Sequence, residues 1–129
     1  MDTVSEFLTR VRNAGEARHE KVDVPSSKLR LNLAEILAQN GFIRSYKVAK
    51  DSKQGVMRVY LKYNESGEHA ISAIQRVSRP GRRTYIRSTE IPVVRSGLGM
   101  TIVSTSQGLM SGTEAQKKNL GGELMCKVW

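Results

Sequence analysis

The 129-residue chain is long enough for one ordinary domain or two small units sharing an interface, and 39% hydrophobic residues suffice for a core. Its 21 Lys and Arg outnumber 12 Asp and Glu, for a net charge of +9, which points to a polyanionic partner, nucleic acid before an anionic membrane surface. One cysteine and two histidines exclude an intrachain disulfide and are too few for a structural zinc site, and no apolar run approaches the ~20 residues of a membrane span.

The lone Cys126 suits a reducing compartment, and the N-terminus lacks a signal-peptide core, so the expectation is a soluble cytoplasmic protein. The charge is spread, +5 over residues 1–64 and +4 over 65–129, so neither half is a disordered basic tail.

In chain order, Thr3 to Ala14 has the period of a helix, with Val4, Phe7, Leu8, Val11 and Ala14 on one face. Thr3 and Glu6 fit a capping box, and Gly15 is the expected stop. Thr9 and Asn13 lie one turn apart on the opposite face, flanked by Arg10 and Arg12, for which a solvated face is the usual reading of isolated charges. Lys21 to Pro25 alternates like a short strand. Ser26 or Ser27 caps a second helix striped by Leu29, Leu33, Ile36 and Leu37 and stopped at Gly41. Phe42–Lys50 and Val56–Tyr63 read as strands joined by a five-residue hairpin loop, residues 51–55. The first half is thus α-β-α-β-β, with two helices on one face of a small sheet.

The polar break at residues 64–68 is the expected boundary between units 1–64 and 65–129. Beyond it, Ala70–Arg79 reads as a strand, Pro80-Gly81 as a turn and Thr84–Arg87 as a returning strand. Five arginines (76, 79, 82, 83 and 87) lie in this hairpin with no acid, and Tyr85 sits among them. Arginine forks match phosphate and an aromatic ring offers a stacking face; the alternative is a basic surface hairpin with Tyr85 packed into the core. Ile91–Arg95 reads as a short helical turn, Gly112–Lys118 as a short helix and Leu124–Trp129 as the last strand. Gly97-Leu98-Gly99 is not a dinucleotide fingerprint, because Ile102 stands where the third glycine belongs.

Between the apolar run Leu98–Val103 and Gly108 lie three adjacent hydroxyls, Ser104, Thr105 and Ser106. A rigid strand end that presents small donor-acceptor groups suits detailed recognition, although turn chemistry alone also explains Ser and Thr there. No base stands beside them, so the stretch points to recognition rather than catalysis.

Four stretches together resemble the bacterial small-subunit ribosomal protein S8 family: Leu8–Ala14, Pro80–Tyr85, Gly97–Gly108, and Gly121-Gly122-Glu123 through Cys126–Trp129. The resemblance runs end to end. It implies an α+β fold, an N-terminal α-β-α-β-β unit packed against a mainly β C-terminal unit with short helices. It also implies direct binding to the central domain of small-subunit ribosomal RNA, early assembly beside neighbouring ribosomal proteins, and repression of the family's own operon through a messenger site that mimics the ribosomal one. By the same resemblance Ser104, Thr105, Ser106, Tyr85, Gly121, Gly122 and Glu123 are RNA contacts, with Thr9, Arg10, Arg12 and Asn13 a second set. Arg82 and Arg83 supply phosphate contacts. Thr3, Gln107 and Gln116 depart from the family's usual Pro, Lys and Arg, which removes two positive charges near the expected site.

Neither rival class fits as well. A hydrolase would use Ser104 or Cys126 with His19 or His69, but both histidines lie in polar, charged segments and no nucleophile elbow is present. A membrane-surface protein needs a helix that combines a basic face with an exposed apolar one, and neither predicted helix does. No catalytic residue, metal, cofactor or small-molecule substrate is expected.

Overall fold

A computed structural model describes residues 3–50, 55–94 and 99–129. Their contacts divide the chain into two compact units, Met1–Ser72 and Ala73–Trp129. The division falls later than the polar break at 64–68, because those residues fold back on the first unit. Tyr63 bridges His69, the Ala70 amide donates to the Lys62 carbonyl at 2.9 Å, and Ile71 is buried.

The first unit runs α1 (Thr3–Glu16), β1 (Lys21–Pro25), α2 (Lys28–Gln39), β2 (Ile43–Ala49) and β3 (Val56–Leu61). The apolar stripe read in the sequence is the buried face of α1: Val4, Phe7, Leu8, Val11 and Ala14. Two readings of that helix change. Thr3 is already helical rather than the cap. Gly15 does not stop the helix; it is a buried helical position where a Cβ would come within 2.1 Å of the His69 ring. Its small size accommodates the imidazole, and Arg18, at φ 60°, turns the chain three residues later. At α2 the cap is Ser27, whose Oγ accepts from the Arg30 amide at 3.1 Å, and Gly41 at φ 79° lets the Phe42 amide return to the Leu37 carbonyl.

The three strands form an antiparallel sheet in the order β1-β3-β2. Alternation along β3 divides its faces: Met57, Val59 and Leu61 are buried, while Val56, Arg58 and Tyr60 are not. The expected hairpin loop lies largely outside the described residues.

The second unit comprises β4 (Ile74–Arg76), β5 (Tyr85–Ile86), a 3-10 turn at Ser88–Glu90, β6 (Met100–Thr105), β7 (Gly108–Ser111), α3 (Gly112–Lys117) and β8 (Gly122–Val128). β8 is the organising strand: β4 pairs with its far end, β5 with its first residues, and β6 along its length. The strand read over Ala70–Arg79 is therefore shorter, because Ala70 still pairs with Lys62 of the first unit, Ala73 bonds Trp129, and pairing with β8 begins only at Ile74. The turn read at Ile91–Arg95 falls earlier, at Ser88–Glu90, while Ile91 and Val94 are buried and non-helical; Arg95 lies outside the described residues. Ile91, Val103, Met110, Ala115 and Leu124 form the core beneath α3, joined by Val77, Ile86 and Leu120. Ser111 caps α3 by accepting from the Glu114 amide at 3.3 Å. Among the described residues no helix is long and apolar enough to cross a membrane, and no group of three His, Cys, Asp or Glu is placed to hold a metal.

Candidate nucleic-acid interface

The register of the second sheet assembles the expected residues. Tyr85 on β5 pairs with Glu123 on β8, which pairs with Ser104 on β6. Residues opposite one another in neighbouring strands share a face, so Tyr85, Glu123 and Ser104 form one row. In the next row Ile86, Gly122 and Thr105 are in register on the opposite face, where Ile86 packs on the core beneath α3. Three stretches scattered over about forty residues of sequence thus converge on the start of one strand.

Each member is held differently. The Tyr85 ring is 68% exposed, which removes the alternative that it is a core residue. Glu123 is nearly buried, and its carboxylate is the hub of a small network. The Ser78 hydroxyl donates to Oε2, and Arg83 Nη1 lies 3.1 Å from the same oxygen. Ser78 is itself fully buried and accepts from the Thr84 amide at 3.2 Å. The acid therefore presents little free negative charge; it locks the arginine hairpin onto β8.

The three hydroxyls are not equivalent. Thr105 Oγ1 donates to the Gly108 carbonyl at 2.8 Å and accepts from the Gln107 amide at 3.1 Å, so it closes the turn that Gly108, at φ 108°, completes. Ser104 and Ser106 make no side-chain hydrogen bond among the described residues, and Ser106 is exposed. Turn formation and presentation are thus divided between neighbours.

The two glycines meet a steric demand. A Cβ at Gly122 would lie 2.1 Å from the Ser104 carbonyl oxygen, and one at Gly121 would lie 2.6 Å from that of Ile86. Only glycine lets β5, β8 and β6 approach closely enough to form the row.

Arg79 and Arg82 bridge across the Pro80-Gly81 turn, leaving Arg82 exposed. Beside the hairpin, Arg76, Arg79, Arg82 and Lys127 line one groove with no acidic neighbour in its wall. Ser78 and Lys127 were invisible as site residues in the sequence; Ser78 sits in an apparent strand and Lys127 forty-five or more residues from the arginines it joins. In the first unit, Thr9, Arg10, Arg12 and Asn13 lie on α1, with Arg10 and Asn13 exposed and Thr9 and Arg12 half-buried. The Arg12 Nε is buried without a hydrogen-bond partner among the described residues. The hydrolase rival loses one of its two nucleophiles, because Cys126 is 1% exposed, and Ser104 has no histidine in its own unit.

The fold is that of a basic α+β protein, in whose second unit one sheet face groups Tyr85, Glu123 and Ser104. Comparison with known proteins narrows this class. Residues 2–129 match the family model described as Ribosomal protein S8. The chain is 65% identical to the small ribosomal subunit protein uS8 of Bdellovibrio bacteriovorus over all of both chains. It is 52% identical to the protein of that name from Geotalea daltonii, and 48% to that from Thermodesulfovibrio yellowstonii, each over 99% of this chain and at least 97% of the relative. The chain belongs to the ribosomal protein S8 family. It is a structural ribosomal protein and not an enzyme.

Proposed function

We propose that this protein is a component of the small ribosomal subunit that binds the central domain of its RNA directly, in the cytoplasm, and supports folding of that RNA during assembly beside neighbouring ribosomal proteins. The observation that carries this reading is the row Tyr85, Glu123, Ser104 on one sheet face, flanked by Arg82 and Arg83.

Double-helical RNA hides its base edges in a deep, narrow major groove, so a protein reads shape, backbone, 2′-hydroxyls and displaced bases. The exposed Tyr85 ring takes an unpaired base. Ser104 and Ser106 exchange hydrogen bonds with base edges or 2′-hydroxyls, and the backbone at Gly121 and Gly122 allows close approach. Glu123 orients Arg83 and holds the hairpin, while Thr105 keeps the turn in shape. Arg82 and Arg83 supply phosphate affinity, and Thr9, Arg10, Arg12 and Asn13 make a second contact from α1. The same surface binds a site in the messenger of the protein's own operon and represses it.

Ser104→Ala and Ser106→Ala test the reading. Neither changes charge, so affinity for the cognate RNA should fall by about 1–3 kcal/mol while binding to scrambled RNA and the salt slope stay constant. An unchanged gap between cognate and scrambled RNA for both variants would refute the loop as the specificity element. Repression requires the messenger leader and the ribosomal fragment to compete; simultaneous binding of both rules it out.

A further inference from the structure

The first unit has a second sheet face that the proposed interface does not use. Helices α1 and α2 pack against the side of β1-β3-β2 that carries Met57, Val59 and Leu61. On the other side the register builds three cross-strand rows: Lys21–Tyr60–Ser45, Asp23–Arg58–Lys47 and Pro25–Val56–Ala49. This face is open. Lys21, Ser45, Lys47 and Ala49 are exposed, and Val56 is 36% exposed. A shallow groove runs along it between β2 and β3.

Its charge is one-sided. The single acid, Asp23, is occupied by Arg58 in a two-pronged pair, Nε to Oδ1 at 2.8 Å and Nη2 to Oδ2 at 3.1 Å. Arg44 and Lys47 remain without an acidic partner among the described residues, and Lys21 shares Asp23 with Arg58 without closing an ion pair. Two of them gather around one ring, with Arg44 Cζ 5.6 Å and Lys47 Nζ 5.9 Å from the centroid of Tyr60.

An open sheet face with a central aromatic ring and surrounding cations has the chemistry that takes unpaired nucleotides. Exposed cation-π contacts are weaker than stacking of a base on an aromatic ring, so a base displaces Arg44 and Lys47 from the ring toward the phosphates that accompany it. An acidic protein segment would gain from the cations but not from the ring. We propose that the outer face of the β1-β3-β2 sheet is a binding site for a single-stranded RNA segment, with Tyr60 as the stacking platform and Lys21, Arg44 and Lys47 as its phosphate contacts. This site lies on the first unit and does not depend on the Tyr85–Glu123–Ser104 row.

The test uses the full chain carrying Tyr85→Ala, which removes the one exposed aromatic ring among the described residues and leaves the half-buried Tyr60, and a labelled uridine hexamer as probe, followed by fluorescence anisotropy across a salt series. Tyr60→Ala should weaken hexamer binding about 5- to 100-fold, and Tyr60→Phe should restore it. Changing Lys21, Arg44 and Lys47 to Gln should flatten the salt slope by roughly 0.7 of a log unit per lost phosphate contact. A hexamer containing 4-thiouridine, cross-linked to the Tyr60-retaining chain and mapped by mass spectrometry, should mark β3, which keeps the proposal testable if Tyr60→Ala is unstable. Equal affinity of Tyr60→Ala and its parent overturns the proposal, as does cross-linking confined to the second unit. Polyglutamate that competes as well as the hexamer, with loss on Tyr60→Ala absent, assigns the face to an acidic protein segment instead. Failure of the Ser104 and Ser106 variants to change cognate discrimination bears only on the second-unit interface.

Discussion

The polar face of α1 and the row on β5-β8-β6 are both built from small polar groups and arginines, yet they are held in opposite ways. On the sheet, the glycines admit no side chain, Glu123 is fixed by Ser78 and Arg83, and Thr105 is used up in its own turn. On the helix, Arg10 and Asn13 project into solvent, and Arg12 has an unsatisfied Nε among the described residues. A group positioned by backbone and buried partners loses little freedom on binding, and so discriminates. A flexible cation pays ordering entropy and contributes affinity of any register. The difference predicts a division of labour: specificity from the sheet, charge from the helix.

The sharpest way to break this comparison is to unfasten the sheet. Gly122→Ala places a Cβ against the Ser104 carbonyl, which is backbone and has nowhere to go. The expected cost is roughly 3 kcal/mol of stability, read as a shift in the denaturation midpoint at constant m-value. If stability holds but cognate binding is lost, the glycine is a contact residue rather than a spacer.

Tyr85→Ala should separate binding from folding. The ring is mostly solvent-exposed, so the melting temperature should barely move, while RNA affinity falls by about 1–3 kcal/mol and Tyr85→Phe falls much less. A fall in melting temperature with affinity intact would return Tyr85 to a structural role.

Glu123→Gln sharpens the comparison from the charge side. Gln still accepts from Ser78 but releases the Arg83 guanidinium. Non-specific RNA binding should therefore strengthen, because the charge Arg83 shares with Glu123 becomes fully available to phosphate, and the salt slope should steepen by at most roughly 0.7–0.9 of a log unit. On α1, Arg10→Gln and Arg12→Gln should flatten the slope by a similar amount each and leave cognate discrimination unchanged. A loss of discrimination from the helix variants would show that α1 also reads the RNA.

How much of this was legible in the sequence follows from the range of each interaction. The stripe Val4, Phe7, Leu8, Val11 is a property of one helix and was readable at once, as was the alternation Met57, Val59, Leu61. The hydroxyl run at Ser104–Ser106 was visible as a presenting turn, but the division of labour between Thr105 and its neighbours was not, since it depends on how the turn closes. Tyr85 read equally as core or surface, because a lone tyrosine in a short strand carries no periodicity to decide it. Gly15 read as a helix stop because its true neighbour, His69, lies more than fifty residues away in sequence. Ser78 was missed for the same reason: its partner Glu123 is joined to it only through strand pairing.

That Gly15–His69 contact gives the smallest expected effect, and one that distinguishes the two units by pH. The His69 ring lies over Gly15, tilted against Tyr63 with centroids 5.4 Å apart, and neither ring nitrogen has a hydrogen-bond partner among the described residues. Burial pushes its pKa below the ordinary 6.5; the Ile71 backbone and the Glu16 carboxylate pull the other way without prevailing. In the unfolded chain the imidazole takes a proton near 6.5, while in the folded chain it resists. The stabilisation is therefore complete above that pH and declines as pH falls from about 6.5 toward the lowered folded value. Asp23, also in the first unit, is held below its usual range chiefly by its hydrogen bonds from Arg58, so its contribution changes only at more acidic pH. The second unit has no histidine. Amide exchange followed from pH 7 to pH 5, corrected for intrinsic rates, should show α1 and residues 62–71 losing protection while β8 keeps its own. His69→Gln should make α1 insensitive to pH over that range. Uniform loss across both units would mean that the imidazole does not govern the response, and a first unit that gains protection on acidification would reverse the sign of the argument.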